Sequence, residues 1–286
     1  MSQQQINKLR FSGKTAIVTG AGSGIGKAAA VKLATEGANV ALFDLLDDRT
    51  AQAEAEINAI RPGSARAFDV DTSDAARVEK AVLETAELFK TVDIVFANAG
   101  INGVLSPIED MKLEDWQHTL SVNLNGTFLT VKYAIPHLKK QGGSIIVTSS
   151  INGNRTFSNF GMAAYSTSKA GQVAFAKMAA LELAKFKIRV NVICPGAIST
   201  NIDQSTEKTD ELKEIVIPVQ YPQQPAAVGG AGHAGKRSRS RSLFGFGRID
   251  PYHRHPGVHR RSGVASPVRR LQPSRFRFRR QRFSLV

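Results

Sequence analysis

The stretch "TAIVTGAGSGIG" (Thr15–Gly26) decides how the chain around it folds. "TAIVTG" is a short apolar, β-branched run that ends in glycine, the pattern of a buried strand. "GKAAAVKLATEG" (Gly26–Gly37) is rich in helix formers and closes on a glycine C-cap. Gly20, Gly24 and Gly26 lie between the two. Glycines there allow a tight turn and a close approach of backbone to ligand, and the positive end of the helix faces the same point. A pyrophosphate fits that combination.

Outward from this unit, strand and helix alternate. "NVALFD" (Asn39–Asp44), "ARAFDV" (Ala65–Val70), "VDIVFANAG" (Val92–Gly100), "GSIIVTSS" (Gly143–Ser150) and "IRVNVICP" read as strands. Helices are expected over "RTAQAEAEINAI", about Ser73–Phe89, Leu113–Lys139 with a bend near Pro136, and about Ala163–Lys185. "DQSTEKTDELKEIV" (Asp203–Val216) is expected to form a mobile helix over the substrate. Such alternation gives right-handed βαβ units and a single α/β domain on a doubly wound, Rossmann-like parallel sheet. Ligands of that architecture bind beyond the carboxyl ends of the strands, where the polar motifs of this chain fall.

Asp44 ends the second strand, where a carboxylate accepts hydrogen bonds from an adenosine ribose and repels a 2′-phosphate. Ser23 and Leu45 are not basic. NAD is therefore favoured over NADP. In "YSTSK", Tyr165 and Lys169 are four apart on a helix and share one face. A cation near a phenol is expected to lower its pKa and let it exchange a proton with an alcohol or ketone near neutral pH.

Taken together, "TGAGSGIG", Asp44, "FDV", "NAG", "VNLNG", "SS", "YSTSK" and "PGAIST", in that order over about Lys14–Ile202, resemble the short-chain dehydrogenase/reductase family, in its subgroup of about 250 residues. The resemblance implies an NAD(P)-dependent oxidoreductase that interconverts a secondary alcohol and a ketone by hydride transfer. It implies a catalytic set of Asn123, Ser150, Tyr165 and Lys169. Tyr165 would be the general acid/base. Lys169 would tune it and hold the nicotinamide ribose, Ser150 would orient the substrate oxygen, and Asn123 would place a relay water. The cofactor would meet Gly20, Ser23, Gly24, Ile25, Gly26 and Asp44, then Asp69 and Val70 at the adenine. Asn98, Ala99 and Gly100 would line its channel, and Pro195, Gly196, Ile198 and Thr200 would lie toward the nicotinamide end. The gap from Ser150 to Tyr165 is wider than the family commonly shows, which keeps Ser149 as an alternative. The resemblance also implies a homodimer or homotetramer through the two long helices.

Composition narrows the setting. The apolar fraction of 42% supports a sizeable core. No apolar run reaches membrane-spanning length, "MSQQQINKLR" has no secretory h-region, and no Cys/His cluster has zinc spacing. The one cysteine, Cys194, fits a reducing compartment and is expected to be an inert buried thiol. A cytoplasmic enzyme with a small-molecule substrate and no metal is expected.

The net charge of +14 belongs to the end of the chain. Met1–Ala227 holds 23 basic and 23 acidic residues, whereas Val228–Val286 holds 14 arginines, one lysine and one acid. The organisation expected is an extension over 1–12, the domain over 13–222 and an Arg-rich, disordered tail over 223–286 in place of a final strand. A tail of this kind could serve a nucleic-acid arm, with "RFRFRRQRF" stacking bases and neutralising phosphates. The arginine bias is explained more simply by a reading-frame shift. Back-translated and read one nucleotide later, Arg237–Ser262 can give "VADLVLFLASDxSIHITGTxVFIDGA", an apolar helix followed by a strand, which resembles the family's closing segment. Two alternatives to an active oxidoreductase thus stand beside it: a cofactor-binding protein impaired by its C-terminus, and a tail-driven nucleic-acid binder.

Overall fold

The computed structural model describes residues 9–45, 48–155, 160–198 and 200–214. The chain divides into two units, Met1–Pro222 and Gln223–Val286. The second, which holds the Arg-rich tail, lies outside the described residues.

The elements run β1 (Thr15–Thr19), α1 (Gly24–Thr35), β2 (Asn39–Asp44), α2 (Asp48–Ile60), β3 (Ala65–Asp69), α3 (Ala75–Phe89), β4 (Ile94–Ala97), β5 (Gly103–Leu105), α4 (Leu113–Leu120), α5 (Gly126–Leu138), β6 (Gly143–Thr148), α6 (Ala163–Leu183), β7 (Ile188–Ile193) and β8 (Thr206–Lys208). Six strands form one sheet in the order β3-β2-β1-β4-β6-β7, every pair parallel. This is the doubly wound Rossmann-like sheet that the alternation requires. Its central strands are buried on both faces, so they read as unbroken apolar runs: β1 and β4 are buried throughout. In register, Val18 lies between Leu42 and Phe96. Helices α3, α5 and α6 cover one side through Val78, Val82, Val131, Leu138, Ala176 and Leu183, which pack in one cluster with Ile17, Val95 and Ile145. Each valine, leucine or isoleucine side chain among these, taken wholly out of water, contributes about 1.5–3 kcal/mol.

The direction of winding reverses between β1 and β4. A crevice opens at that point beyond the carboxyl ends of the strands. The opposite, amino-terminal edge is tied by Asp93. This buried carboxylate accepts from Lys14 Nζ (2.7 Å), Thr15 N (3.0 Å), Thr91 Oγ1 (2.9 Å) and Gln141 Nε2 (2.7 Å). Four donors satisfy its lone pairs, as a buried carboxylate requires.

Two elements differ from the pattern expected of the sequence. The long helical stretch is broken at Ser121–Asn125 rather than at Pro136, which sits inside α5. One wide turn there closes with Gly126 N–H donating to the Ser121 carbonyl, five residues back. Wide turns of this kind commonly mark functional sites. The segment expected as a helix over Asp203–Val216 is instead a short 3₁₀ turn (Asn201–Ser205), the strand β8 and a second 3₁₀ turn (Asp210–Glu214); residues 215 and 216 lie outside the described residues. β8 pairs in parallel with β5, and Asn102 Nδ2 donates to Thr206 Oγ1 at 2.8 Å. Backbone pairing with an available strand outweighs weak helix propensity in a segment this short.

Candidate active site

The turn between β1 and α1 is shaped by the glycines that the sequence singles out. Gly20 and Gly24 have φ of +65° and +52°, the left-handed region that suits glycine. A Cβ on Gly26 would overlap the Gly20 carbonyl, so only glycine lets α1 start this close to β1. Ser23 precedes α1 in extended conformation, and its side chain does not cap the helix. No acidic residue lies in the first turn. The N–H groups there are left for a ligand, and the helix dipole favours an anion. At the tip of β2, Asp44 accepts the Gly22 N–H at 2.7 Å and the Leu45 N–H at 2.9 Å. The Asp44 carbonyl accepts from Val70 N (2.9 Å), which brings the end of β3 alongside; Asp69 is exposed there, 3.5 Å from Arg77.

The other wall of the crevice follows β4. Thr19 Oγ1 accepts from the N–H groups of both Asn98 and Ala99 at 2.9 Å. Asn98 Nδ2 donates to the Thr19 carbonyl (3.1 Å), and its Oδ1 accepts from Thr148 Oγ1 (3.1 Å). Asn98 thus bridges β1 and β6 and holds the glycine turn to the next part of the site. A Cβ on Gly100 would lie 3.0 Å from Asn123 Oδ1 and 3.2 Å from Lys169 Nζ. The third wall follows β7. The Pro195 carbonyl accepts from Ile151 N (3.1 Å), Gly196 faces Ile151, Ile198 is exposed, and the Thr200 side chain reaches within 3.2 Å of where a Gly24 Cβ would stand. The residues singled out in sequence therefore converge on one crevice.

At its far end, α6 brings Tyr165 and Lys169 into the site. Both are buried, Lys169 only 3% exposed. The amine donates to the Thr148 carbonyl at 3.0 Å and stands 5.6 Å from the centre of the Tyr165 ring. Burial lowers the Lys169 pKa to about 8, against a smaller opposing pull from Cys194. The Tyr165 pKa is raised above its ordinary value. Burial is the larger cause, and a hydrogen bond with Ser150 acts in the opposite direction. The lowering expected from a neighbouring ammonium is thus reversed: the amine turns toward a backbone carbonyl, and desolvation of the phenolate prevails.

The two serines separate cleanly. Ser149 Oγ donates to the Lys169 carbonyl at 2.7 Å, fastening β6 to α6. Ser150 is the one whose hydroxyl draws the Tyr165 pKa down, and its Oγ accepts from Asn152 N at 3.2 Å. Asn123 is wholly buried. Its amide joins the Ile101 backbone in both directions (2.8 and 3.0 Å) and donates to Ser168 Oγ (3.0 Å). Its carbonyl, aimed inward by the wide turn, accepts from Gln172 Nε2 and Thr127 Oγ1, both at 2.8 Å. Thr19, Thr148, Ser168 and Gln172 were not singled out in sequence. Ser168 and Gln172 flank Lys169 on α6, and Thr148 precedes the serine pair, so proximity to the motifs was the available signal. Cys194 ends up half-buried just past β7, not fully enclosed as expected. His118 is exposed, and no group of three metal-ligating side chains occurs among the described residues.

The chain is similar to known proteins over most of its described residues. The levodione reductase of Leifsonia aquatica is 35% identical over 201 residues, 70% of this chain and 74% of that protein. A solved 3-ketoacyl-ACP reductase from Sinorhizobium meliloti 1021 superposes with a TM-score of 0.68 at 45% identity, covering 73% of this chain and 81% of the other. A 3-ketoacyl-(acyl-carrier-protein) reductase from Brucella melitensis, solved with NADH, superposes with a TM-score of 0.64 at 32% identity, covering 68% and 80%. The short chain dehydrogenase family matches residues 14–211, and the chain belongs to it as an oxidoreductase of that family.

Proposed function

We propose that the protein oxidises a secondary alcohol, or reduces the corresponding ketone, with NAD and with Tyr165 as the general acid/base. The observation that carries this reading is the buried Tyr165–Lys169 pair in the crevice at the strand reversal, the amine 5.6 Å from the ring centre. The cradle fits a dinucleotide: an uncapped helix start, glycines that admit no Cβ, and a carboxylate at the tip of β2. NAD supplies hydride exchange when bound. Gly20, Ser23, Gly24, Ile25 and Gly26 would hold its pyrophosphate, Asp69 and Val70 its adenine, and Asp44 its ribose hydroxyls, at the expense of a 2′-phosphate. Asn98, Ala99, Gly100, Pro195, Gly196, Ile198 and Thr200 would border the channel. The NADH complex of the Brucella melitensis relative supports the choice of cofactor.

In reduction, the Tyr165 hydroxyl gives its proton to the oxygen on which negative charge develops, and Ser150 donates a hydrogen bond to that oxygen. In oxidation, Tyr165 first passes its proton to neutral Lys169, and the resulting phenolate oxygen takes the alcohol proton. After reduction, Lys169 restores the proton to Tyr165 from the buried side. The bonds of Asn123 make it the residue that fixes the Ile101 loop and α6 around that amine; a relay water would use what remains of its acceptor capacity. The same reading includes a homodimer or homotetramer through α5 and α6. Phe128, Met178 and Leu181 are exposed there, and Phe128 meets Phe175 across the two helices at 6.1 Å. A cytoplasmic enzyme of this kind needs no membrane anchor, and no helix among the described residues is long and apolar enough to cross one.

Absorbance of reduced nicotinamide, followed with the full chain and a panel of sugar, steroid and acyl alcohols, tests the reading. Oxidation of one or more panel members is expected. NAD binding without turnover across the panel would select a non-enzymatic cofactor binder instead.

A further inference from the structure

We propose that the nucleotides encoding Arg237–Ser262 carry, one base downstream, the helix and strand that cover the open edge of β7. The inference rests on the fold and on the codon table, not on the activity proposed above.

β7 ends the sheet among the described residues, hydrogen-bonded to β6 alone. Four of its six residues, Ile188, Val190, Val192 and Ile193, are branched aliphatics, yet only Ile188 is buried. Its neighbour β6 has five of six residues buried. Among the described residues no strand pairs with its outer edge; an open edge of this composition invites pairing with another chain, and proteins ordinarily cover or pair such an edge. The next strand of a parallel sheet arrives after a helical crossover. Among the described residues no element takes the next place; in a parallel sheet its occupant would be a helix followed by a strand, C-terminal to β7.

Of the frame as written and the frame one base later, the tail meets that description only in the second. As written, Arg237–Ser262 holds seven arginines and one acid and has no apolar periodicity. Read one base later, the outcome is constrained by the code itself. Every arginine codon, CGN or AGR, then begins with G, so each arginine becomes Val, Ala, Asp, Glu or Gly and all seven positive charges vanish. Asp250, Tyr252, His253, His255 and His259 each give AYC or AYA, which is Ile or Thr without exception. Phe244 and Phe246 give TYG, Leu or Ser. Five obligatory β-branched residues within positions 250–259 make a strand composition. The preceding positions 240–245 admit an unbroken apolar run, as a buried helix would need. A basic arm selected for binding phosphates places no such demand on the second frame.

The coding DNA under residues 221–262 is the direct test. An open second frame with apolar residues at 240–245 and at 257–259 is expected; a stop codon in it, or polar residues at most of those positions, overturns the proposal. The protein gives an independent measure. The chain as written and one continuing from Lys236 in the second frame are melted side by side without cofactor. The second-frame chain is expected to melt several degrees higher, on the scale by which added edge and core contacts act, and to stay in solution at concentrations where the other aggregates. Equal melting temperatures overturn the proposal, whatever either chain does with NAD.

Discussion

Lys169 and Tyr165 sit one helical turn apart, the amine 5.6 Å from the ring centre, and burial moves their proton affinities in opposite directions, past each other. The ammonium, normally the weaker acid of the two by a small margin, becomes the stronger: its pKa falls to about 8 while that of Tyr165 rises above 10.0. On raising the pH the amine therefore loses its proton first. Tyr165 stays protonated at neutral pH, the form that ketone reduction needs. Reduction is predicted to be flat from pH 6 to about 8 and to fall above it, as neutral Lys169 no longer resupplies the phenol. Oxidation should rise over the same range. Initial rates in both directions against pH check this. Tyr165→Phe should lower turnover in both by about 10²–10⁴-fold, the usual weight of a positioned acid/base, while NAD binding stays within a few-fold by titration.

The same burial makes a stability prediction with a definite sign. Below pH 8 Lys169 is charged in both folded and unfolded chains, and the folded state carries the full cost of enclosing the ammonium. Between about 8 and 10.5 the unfolded chain holds a proton that the folded chain has released, so stability rises with pH through that window. The gain relative to Lys169→Met, whose side chain does not titrate, should approach about 3 kcal/mol at the upper end. Denaturant titrations of both proteins at pH 7 and 10 measure it; parallel behaviour of the two would contradict it.

Ser149 and Ser150 are adjacent in sequence and differ in what they touch. Ser149→Ala removes the 2.7 Å bond to the Lys169 carbonyl and should cost about 1 kcal/mol of stability with little change in turnover. Ser150→Ala removes the partner of Tyr165 and should cost about 10²-fold or more in turnover with a small change in melting temperature. Kinetics and melts on the two variants separate the roles. Loss of turnover in the Ser149 variant alone would exchange them.

How much of this was legible follows from what each signal depends on. The strands β1, β2, β4 and β6 are buried on both faces, so apolar runs announced them, and the glycine turn was announced by a conformation and a clearance that only glycine meets. The wide turn at Ser121–Asn125 was not legible. "SVNLN" continues a helical pattern, and what breaks it is the tertiary pull on Asn123 from Ile101, Ser168 and Gln172. β8 was misread as part of a helix because three residues, "TEK", carry no periodicity; pairing with β5 makes it a strand. The order of proton affinities at Tyr165 and Lys169 depends on depth of burial, which spacing on a helix does not reveal. For Ser149 and Ser150, the choice turned on which side of β6 each hydroxyl leaves, a fact of geometry alone.

In the proposed function Asp44 has a selective duty beside its structural one, and one substitution can separate them. Its carboxylate accepts the Gly22 N–H at 2.7 Å and so helps to hold the glycine turn, while under the proposed NAD binding its charge would stand against a 2′-phosphate. Asp44→Asn keeps an acceptor oxygen for Gly22 and removes the negative charge. Hydrogen bonds to a charged group are worth about 1.5–3 kcal/mol, roughly twice neutral ones, so the turn should weaken slightly and melting should fall by a few degrees. The cofactor preference should change more. The repulsion of a 2′-phosphate disappears, and the ratio of kcat/KM with NAD to that with NADP should fall by at least about tenfold, the equivalent of about 1.4 kcal/mol. Adding a basic residue beside it, Leu45→Arg, should carry the ratio further toward NADP by pairing with the phosphate. Kinetics of the single and double variants with both cofactors measure the shift. An unchanged ratio in both would mean that Asp44 serves the turn alone and that the cofactor is chosen elsewhere.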